Sequence, residues 1–345
     1  MSNVSYYSEI NTLQEQLAKL STGYSATFIL CDENTEAHCL PLVHEALTDA
    51  FVIRVRSGEA HKTLQSCDII WFALTHRNAD RRALLINLGG GVICDMGGFA
   101  ASCYKRGIDF VHVPTTLLAM VDASAGGKTG VDFDNYKNQI GLFREAVAVL
   151  ICPAFLTTLD GRQLRSGMAE VIKHYLIADA AAFHAVEQGE RPSYDLEMIE
   201  KAVRIKSHFT EADPEEQNIR KALNYGHTIG HALESHRLST DAPLLHGEAV
   251  AIGMAVEALT AQHLDILPEE DAGRVLTVLR RYFDLPVLST EEISAIIALS
   301  AQDKKNAGAT RRMALITGIG SYAVDVAVGE EQVREACIWY NNGIS

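Results

Sequence analysis

Four residues between positions 170 and 246 have the types and spacing of a metal site. His227 and His231 are four residues apart in NYGHTIGHALE, a spacing that places two side chains on one face of an α-helix. His246 follows in LLHGEA, and Glu170 lies in GMAEVIKH. One carboxylate and two imidazoles with an open coordination position are typical of catalytic zinc. The HExxH pattern of zinc proteases is absent, and glycines beside His227 and His246 favour ligands over a structural histidine pair.

A glycine-rich segment in the first half of the sequence indicates a nucleotide site. Gly89, Gly90 and Gly91 follow the apolar run ALLIN, and Asp95 comes soon after them. Glycines after a strand let backbone amides approach a phosphate closely, which favours a nucleotide site over a tight turn. The GxGxxG dinucleotide fingerprint fails at Cys94, where it needs a third glycine.

A second glycine-rich segment, Gly126-Gly127-Lys128-Thr129, is similar to the end of a P-loop. That motif needs a glycine where Asp122 stands, so we reject the P-loop interpretation. Lys128, Asp122 and the nearby Lys137 and Asn138 remain a candidate loop for an oxygen-rich ligand. The alternative is a solvated surface loop.

Six scattered cations could hold an anion, although each one alone is typical of a solvated surface charge. They are Arg106, Lys173, Lys206, Arg220, Lys304 and Lys305. Arg220 lies four residues before Asn224 and seven before His227, which predicts a shared helical face. A phosphate or carboxylate ligand suits such groups.

The composition excludes several classes of protein. The chain has 345 residues, 48% of them apolar, and a net charge of −14, which argues against general binding of nucleic acid. No apolar run reaches the roughly 18 residues of a membrane helix, and the N-terminus lacks a secretory pattern. The seven cysteines include no CxxC pair, so we expect reduced, mostly buried thiols in a cytoplasmic protein.

The apolar pattern predicts two domains with different architectures. Residues 1–152 alternate short β-branched runs with helical stretches, which is typical of an α/β domain with a mostly parallel, Rossmann-like sheet. Residues 153–345 carry apolar residues at spacings of three and four, which predicts an all-α domain. The predicted strands are 26–31, 50–55, 83–88, 110–113 and 147–152, with a late extended segment at 312–316. The predicted helices are 34–47, 117–125, 167–176, 196–210, 219–235, 247–263, 272–283 and 291–300.

The longest motifs of the chain resemble those of the 3-dehydroquinate synthase family of sugar-phosphate cyclases. These motifs are GGGVICDMGGFAASCYKRG, VPTTLLAMVDASAGGKTGVD, GMAEVIKH, NYGHTIGHALE and LLHGEAVAIGM. The resemblance covers residues 58–320 and implies an NAD-binding domain at 1–152, a metal- and substrate-binding domain at 153–345, and a homodimer. Cys94 departs from the family, which usually has glycine at this position.

The resemblance also implies a role for individual residues. It makes Glu170, His227 and His246 the ligands of Zn²⁺, with Co²⁺ as an alternative metal, and it makes His231 and Glu216 proton acceptors. The implied NAD contacts are Asp32, Asn34, Glu59 through Lys62, Gly90, Gly91, Asp95, Thr115, Thr116, Lys137 and Phe155 through Thr158. The implied substrate contacts are Arg106, Asp122, Lys128, Asn138, Lys173, Lys206, Arg220, Asn224 and one of Lys304 and Lys305. Among these, Asp122, Lys128, Asn138 and Lys173 are also implied to take part in catalysis.

The implied reaction converts 3-deoxy-D-arabino-heptulosonate 7-phosphate to 3-dehydroquinate and phosphate, a step of aromatic amino-acid biosynthesis through the shikimate pathway. NAD takes part in catalytic amount. Three alternatives remain: a sister cyclase acting on another sugar phosphate, a metal-dependent glycerol or alcohol dehydrogenase, and a non-catalytic paralogue that binds NAD. The cationic residues, the GGKTG segment and the complete ligand set favour the first reaction over all three.

Overall fold

A computed structural model describes residues 3–134, 136–189, 194–238, 240–301 and 311–344 of the chain. The chain forms two compact units. Unit 1 comprises Met1–Leu164 and Tyr194–Ser207, and unit 2 comprises Arg165–Ser193 and His208–Ser345. The division into functional domains after residue 152 stays a prediction. Lys304 and Lys305 lie outside the described residues.

Unit 1 is built on a six-stranded sheet in which every pairing is parallel. Its strands are β1 (Val4–Tyr6), β2 (Thr27–Asp32), β3 (Phe51–Val55), β4 (Leu84–Gly89), β5 (Asp109–Pro114) and β8 (Ala148–Ile151). Their order in the sheet is β1-β8-β5-β4-β2-β3. The five strands predicted for this part of the chain are confirmed, and the short β1 escaped prediction because three residues show no periodicity.

The centre of the sheet is buried on both faces, as parallel sheets usually are. Every residue of β4, LLINLG, is buried, which explains its continuous apolar character. One polar pair interrupts it: Asn87 of β4 stands opposite His112 of β5, and their side chains lie 3.2 Å apart. Burial lowers the pKa of His112 to about 3, so this imidazole is neutral.

Helices and one hairpin cover the sheet and follow its strands. The helices are α1 (Ile10–Ser21), α2 (Glu33–His38), α3 (Leu64–His76) and α4 (Gly91–Cys103), and the hairpin pairs β6 (Lys128–Phe133) with β7 (Tyr136–Phe143). Two predicted helices are shorter than expected. The one at 34–47 ends at His38 and continues as two 3₁₀ turns, and the one at 117–125 is a π-helical turn, Ala119–Ala123.

The remaining helices belong to unit 2 or lead into it. They are α5 (Gly161–Ala178), α6 (Ala180–Glu187), α7 (Leu196–Ala212), α8 (His227–Arg237), α9 (His246–His263), α10 (Glu269–Tyr282), α11 (Thr290–Ala301) and α12 (Glu330–Ile344). The helical character predicted for this part is confirmed. Unit 2 also contains an antiparallel hairpin of β9 (Arg311–Gly318) and β10 (Ser321–Val328), of which the sequence indicated only the first strand.

The single helix predicted over 219–235 is wrong. A 3₁₀ turn covers Ile219–Asn224, and α8 begins only at His227. Gly226 breaks the helix because its φ is +80°, a left-handed conformation that glycine adopts without a steric penalty. Arg220 and His227 therefore do not share a helical face, contrary to the expectation from their spacing.

Helices α8 and α9 approach each other through glycines. A Cβ atom built on Gly253 of α9 would overlap the carbonyl oxygen of Gly226 and come within 2.8 Å of the amide nitrogen of Gly230. Backbone atoms cannot rotate away as a side chain can, so the contact leaves no room for a larger residue. The close approach fixes the position of α8 on α9.

Six of the seven cysteines are buried, and Cys103 is exposed. Burial raises the pKa of Cys31, Cys67 and Cys337 to about 12. The prediction that most thiols are buried is confirmed. Among the described helices, none combines the length and the apolar character needed to cross a membrane.

We predict that Gly253→Ala destabilises the protein by about 1–3 kcal/mol because the added methyl group overpacks the contact between α8 and α9. Gly273→Ala is the matched control, since Gly273 lies inside α10 and a Cβ atom there meets nothing within 4 Å. This control should gain about 0.5–1 kcal/mol from helix propensity. Urea unfolding of both variants measures the difference, and equal effects would contradict the packing argument.

Candidate functional site

The side chains predicted to bind a metal converge in unit 2. Glu170 lies in the middle of α5, its side chain is fully buried, and its Oε1 atom lies 3.5 Å from Nε2 of both His227 and His246. Ligand atoms bound tetrahedrally at about 2.1 Å from zinc are about 3.4 Å apart. Each imidazole nitrogen therefore lies at the distance from Oε1 of Glu170 that two ligands of one metal ion would have, so the residues present fit a zinc or cobalt site.

A second layer of contacts orients the two imidazoles. His227 donates from Nδ1 to the carbonyl oxygen of Tyr225 at 3.1 Å, and His246 donates from Nδ1 to Oε2 of Glu234 at 3.3 Å. Each bond uses Nδ1 and leaves Nε2 on the side of Glu170, which is the arrangement of metal-binding histidines. Sequence reasoning missed Glu234, although a carboxylate three residues after His231 was the available signal.

Burial and charge act differently on the two imidazoles. Burial, and then the nearby charge of Lys173, hold the pKa of His227 well below its usual range, so its ring is neutral and suited to coordination. Burial also opposes a charge on His246, but the carboxylates of Glu170 and Glu234 outweigh it and raise the pKa of His246 to about 10. A metal ion at this position would displace that proton.

His231 belongs to the same cluster but differs in exposure. Its ring centroid lies 5.0 Å from that of His227 and 5.7 Å from that of His246, which confirms the shared helix face of His227 and His231. One ligand atom from each of the three histidines lies within 4.8 Å of the others. The side chain of His231 is exposed, whereas those of His227 and His246 are partly buried. Exposure suits a group that exchanges protons with solvent.

Lys173 accompanies the metal-site carboxylate. It lies one helical turn after Glu170 in α5, only 1% of its side chain is exposed, and its Nζ forms an ion pair with Oε2 of Glu170. Burying an ammonium group costs several kcal/mol unless a partner compensates it. The pair therefore places a fixed positive charge beside the predicted ligands.

A loop in unit 2 brings together three predicted substrate or proton-transfer residues. Asn224 donates from Nδ2 to Oε1 of Glu216 at 2.5 Å, and Arg220 donates from its guanidinium to the carbonyl oxygen of Pro214 at 2.6 Å. Glu216 has a φ of +59°, an uncommon conformation for a residue with a side chain. This backbone needs support from outside the residue itself.

Asp213 supplies that support. Its carboxylate accepts hydrogen bonds from the amides of Gln217 at 2.9 Å, Asn218 at 2.6 Å and Arg220 at 3.1 Å. One buried side chain thus closes the loop between Asp213 and Arg220. Sequence reasoning missed Asp213, and its only signal was the turn-forming Asp-Pro pair.

In unit 1, the predicted NAD contacts gather at one edge of the sheet. They follow the carboxyl ends of five parallel strands: Asp32 ends β2, Glu59–Lys62 follow β3, Gly90 and Gly91 follow β4, Thr115 and Thr116 follow β5, and Phe155–Thr158 follow β8. The strand order reverses between β2 and β4, because the chain passes from β2 to β3 and then to β4 on the other side of β2. Cofactors of open α/β sheets bind outside the carboxyl ends at such a reversal.

Ion pairs connect this edge to the β6–β7 hairpin. Lys62 donates from Nζ to Oδ2 of Asp95 and to Oδ1 of Asn138, both at 2.6 Å, and Lys137 lies 3.2 Å from Glu59. Burial opposes the charge on Lys62, but its acidic neighbours outweigh burial and raise the pKa of Lys62 above its usual value. The hairpin is thus held to residues that the sequence assigned to NAD.

The glycine segment forms the start of α4. Gly90 is the N-cap residue and has no side chain to accept a bond from the first turn, so the amides there are available to a ligand. Cys94 does not obstruct this segment, since its side chain is fully buried and its Sγ lies 3.8 Å from the carbonyl oxygen of Gly89. Asp32 has a structural role as well, because its carboxylate caps α2.

The predicted substrate residues of unit 1 fall into separate groups. Lys206 donates to the carbonyl oxygen and to Oδ1 of Asp122, at 2.5 and 2.6 Å. Lys128 is exposed at the start of β6. Arg106 is exposed and lines an open surface pocket formed by Asp80, Arg81, Arg82, Lys105 and Arg106.

Comparison with known proteins matches both halves of the chain to one family. Residues 52–166 match the family described as 3-dehydroquinate synthase N-terminal, and residues 167–306 match 3-dehydroquinate synthase C-terminal. The 3-dehydroquinate synthase of Parabacteroides distasonis is 39% identical over 334 residues, which cover 95% of this chain and 94% of that protein. The enzyme of the same name from Nitrosococcus oceani is 44% identical over 318 residues, covering 89% and 88%.

The chain belongs to the 3-dehydroquinate synthase family. The family and activity predicted from the motifs are therefore confirmed. A solved structure of a different cyclase has a similar fold: 2-epi-5-epi-valiolone synthase from Streptomyces hygroscopicus subsp. jinggangensis, described with NAD⁺ and Zn²⁺ bound. The two chains are 29% identical with a TM-score of 0.88, and the match covers 99% of this chain and 97% of that one.

In this chain, Asp213 makes a pH-dependent contribution to stability. Burial alone would raise the pKa of Asp213, but three backbone amides outweigh it and lower the pKa below its usual value. A group of this kind stabilises the fold above its unfolded pKa of about 3.9, and the contribution disappears as the pH falls through the lower folded pKa.

We predict that Asp213→Asn lowers the thermal unfolding midpoint at pH 7, and that the gap to the unaltered protein narrows as the pH falls from about 5 towards 3. Asp284→Asn is the control, since Asp284 is an exposed carboxylate of the same unit. Scanning fluorimetry across this pH range measures the gap. A gap that stays constant with pH would contradict the role given to the Asp213 carboxylate.

Proposed function

We propose that this chain converts 3-deoxy-D-arabino-heptulosonate 7-phosphate to 3-dehydroquinate and phosphate, with Glu170, His227 and His246 as its metal ligands. The observation that carries the assignment of the metal ligands is the pair of 3.5 Å distances from Oε1 of Glu170 to the two imidazole nitrogens. The NAD⁺ and Zn²⁺ bound to the related valiolone synthase support the same two cofactors here.

We assign the NAD site to the residues that follow the carboxyl ends of the parallel strands in unit 1. Backbone amides at the start of α4 would face the pyrophosphate, and Asp95 would stay oriented by Lys62. When bound, NAD supplies a reversible hydride acceptor and the divalent metal supplies a Lewis acid. The work of the protein is to hold both and to orient the substrate.

Buried cations would bind the two anionic ends of the substrate. Lys173 and Arg220 in unit 2 are 1% and 3% exposed, and both are fixed by contacts with neighbouring groups. A guanidinium suits a carboxylate or phosphate because it donates two parallel hydrogen bonds. Lys206 and Lys128 of unit 1 stay predicted substrate contacts.

Proton transfer would fall to groups near these cations. His231 is exposed and lies beside the two ligand imidazoles, so its ring can take a proton and return it to solvent. Glu216 would be the second acceptor, and the bond from Asn224 fixes its carboxylate. We infer that neither residue binds the metal.

A sister cyclase is the alternative that needs the closest comparison. The catalogued relatives named 3-dehydroquinate synthase are 39% and 44% identical to this chain, against 29% for the valiolone synthase. Arg220 and Asn224 also suit a substrate with a carboxylate. We further propose that the protein is cytoplasmic and forms a homodimer, and light scattering of the full chain can test the dimer.

We predict that Arg220→Ala weakens substrate binding by about 2–5 kcal/mol, because the variant leaves an anion without its charged partner. NAD and metal binding should stay near normal. Lys221→Ala is the matched control, because Lys221 is the next residue and pairs with Asp325 on the surface. Loss of this ion pair should lower the stability of the protein by only about 0–1 kcal/mol. Isothermal titration with the substrate and with NAD separates the effects, and an equal loss of NAD affinity would place Arg220 in the cofactor site.

The redox balance of the reaction tests the proposed function as a whole. A cyclase takes back the hydride that it lends, whereas a dehydrogenase accumulates NADH as it forms product. With saturating heptulosonate phosphate we expect phosphate release over many turnovers, NAD needed only in catalytic amount, and no net rise in NADH absorbance. NADH formation in step with product would identify a dehydrogenase. Cyclisation of sedoheptulose 7-phosphate without phosphate release from the heptulosonate would identify a sister cyclase.

A further inference from the structure

Helix α9 contributes a buried carboxylate that the proposed mechanism does not use. Glu257 is fully buried, its Oε2 accepts the amide hydrogen of Gly226 at 2.6 Å, and its Oε1 accepts that of Ile229 at 3.1 Å. The amide of Thr228 donates to the same carboxylate. Three backbone amides at the start of one helix therefore donate to one side chain from a different helix.

The start of α8 needs this outside partner. The first amides of a helix have no acceptor within the helix, and the N-cap side chain usually supplies one. Here the N-cap residue is Gly226, which has no side chain, and its φ of +80° together with its contact with α9 leaves no room for one. Because Gly226 and Ile229 are buried, leaving their amides without an acceptor would destabilise the fold.

The amides held by Glu257 flank a predicted metal ligand. His227 is the first residue of α8 and lies between Gly226 and Thr228, while His246 is the first residue of α9, the helix that carries Glu257. A second tether acts at the same place: the Tyr225 hydroxyl donates to the carbonyl oxygen of Met254 at 2.9 Å. Both tethers attach the segment bearing His227 to the helix bearing His246.

We propose that Glu257 is a positioning residue that sets the metal affinity of the site by holding the start of α8 on α9. It fixes the distance between Nε2 of His227 and Nε2 of His246 without touching either imidazole. The proposal rests on the metal site described under the proposed function. Both carboxyl oxygens of Glu257 accept from backbone donors, whereas a glutamine would turn an NH₂ group towards one of them. Burial raises the pKa of Glu257 to about 8 and the amide hydrogen bonds oppose this, so the affinities are compared above pH 8, where the carboxylate is ionised.

The test compares the metal affinity of Glu257→Gln with that of the unaltered full-length protein. Zn²⁺ affinity is measured by competition with a chromogenic chelator, and the visible spectrum of the Co²⁺-loaded protein reports ligand geometry. We expect Glu257→Gln to bind Zn²⁺ about tenfold more weakly or worse, as outer-sphere changes commonly do. The Co²⁺ spectrum should change as well, which a loss of general stability alone would not produce.

Glu292→Gln is the matched control. Glu292 is also buried in unit 2, and its carboxylate pairs with Arg237 at the opposite end of α8. This variant should lower the unfolding midpoint while leaving the Zn²⁺ affinity within about twofold. Glu257→Gln with an affinity within twofold of the unaltered protein would overturn the proposal. Equal weakening of Zn²⁺ binding in both variants would overturn it too, because the effect would then be one of general stability.

Two further measurements keep the outcome decisive. If Glu257→Gln does not fold, Glu257→Asp replaces it: this variant keeps the charge but withdraws the carboxylate by one methylene group, so an unchanged affinity would overturn the proposal. His246→Ala tests the metal site independently. If the unaltered protein does not bind one Zn²⁺ per chain, or if His246→Ala binds it equally well, the metal assignment itself fails. If the unaltered protein binds one Zn²⁺ per chain and His246→Ala does not, the metal site stands. An unchanged Zn²⁺ affinity of the Glu257 variants then rejects only the positioning role.

Discussion

The arrangement of unit 2 depends on one carboxylate buried in the middle of a helix, because this group needs cations and hydrogen-bond donors around it. Glu170 has no exposed surface, and an ionised carboxylate removed from water is destabilising by several kcal/mol unless cations and donors compensate it. Lys173 provides one compensating charge, and two imidazole nitrogens stand 3.5 Å away on the other oxygen. The position of α5, the glycine contact between α8 and α9, and the bonds to Tyr225 and Glu234 all keep that group of atoms together.

The sequence was sufficient to predict the sheet and the position of its ligand edge. Five buried strands can be recognised in the sequence as short β-branched runs. In a parallel sheet their carboxyl ends must lie at one edge. The glycines after β4 and the threonines after β5 are therefore neighbours, although 24 residues separate Gly91 from Thr115. Periodicity also predicted most helices of unit 2, since an amphipathic pattern can be recognised without knowing which element the helix packs against.

Other parts of the site depend on contacts that no local pattern contains. Glu257 bonds to an amide 31 residues away, and Asp213 acts on backbone rather than on side chains, so neither forms a recognisable motif. The break before α8 was missed because the apolar spacing continues through Gly226, while its cause is a backbone angle that packing against Met254 and Val250 imposes. Such features follow from tertiary packing, which overrides helix propensity.

The burial of the thiols affects which foreign metals and oxidants can harm the protein. Thiolates are the protein ligands that soft ions such as Cu⁺ prefer, and they are also the form of cysteine that peroxides attack. Six of the seven cysteines are buried, and three of them have a pKa of about 12, so they stay protonated and inaccessible in the folded state. Cys103 is the one exposed cysteine, so we expect soft ions and peroxides to act first at this residue while the protein stays folded.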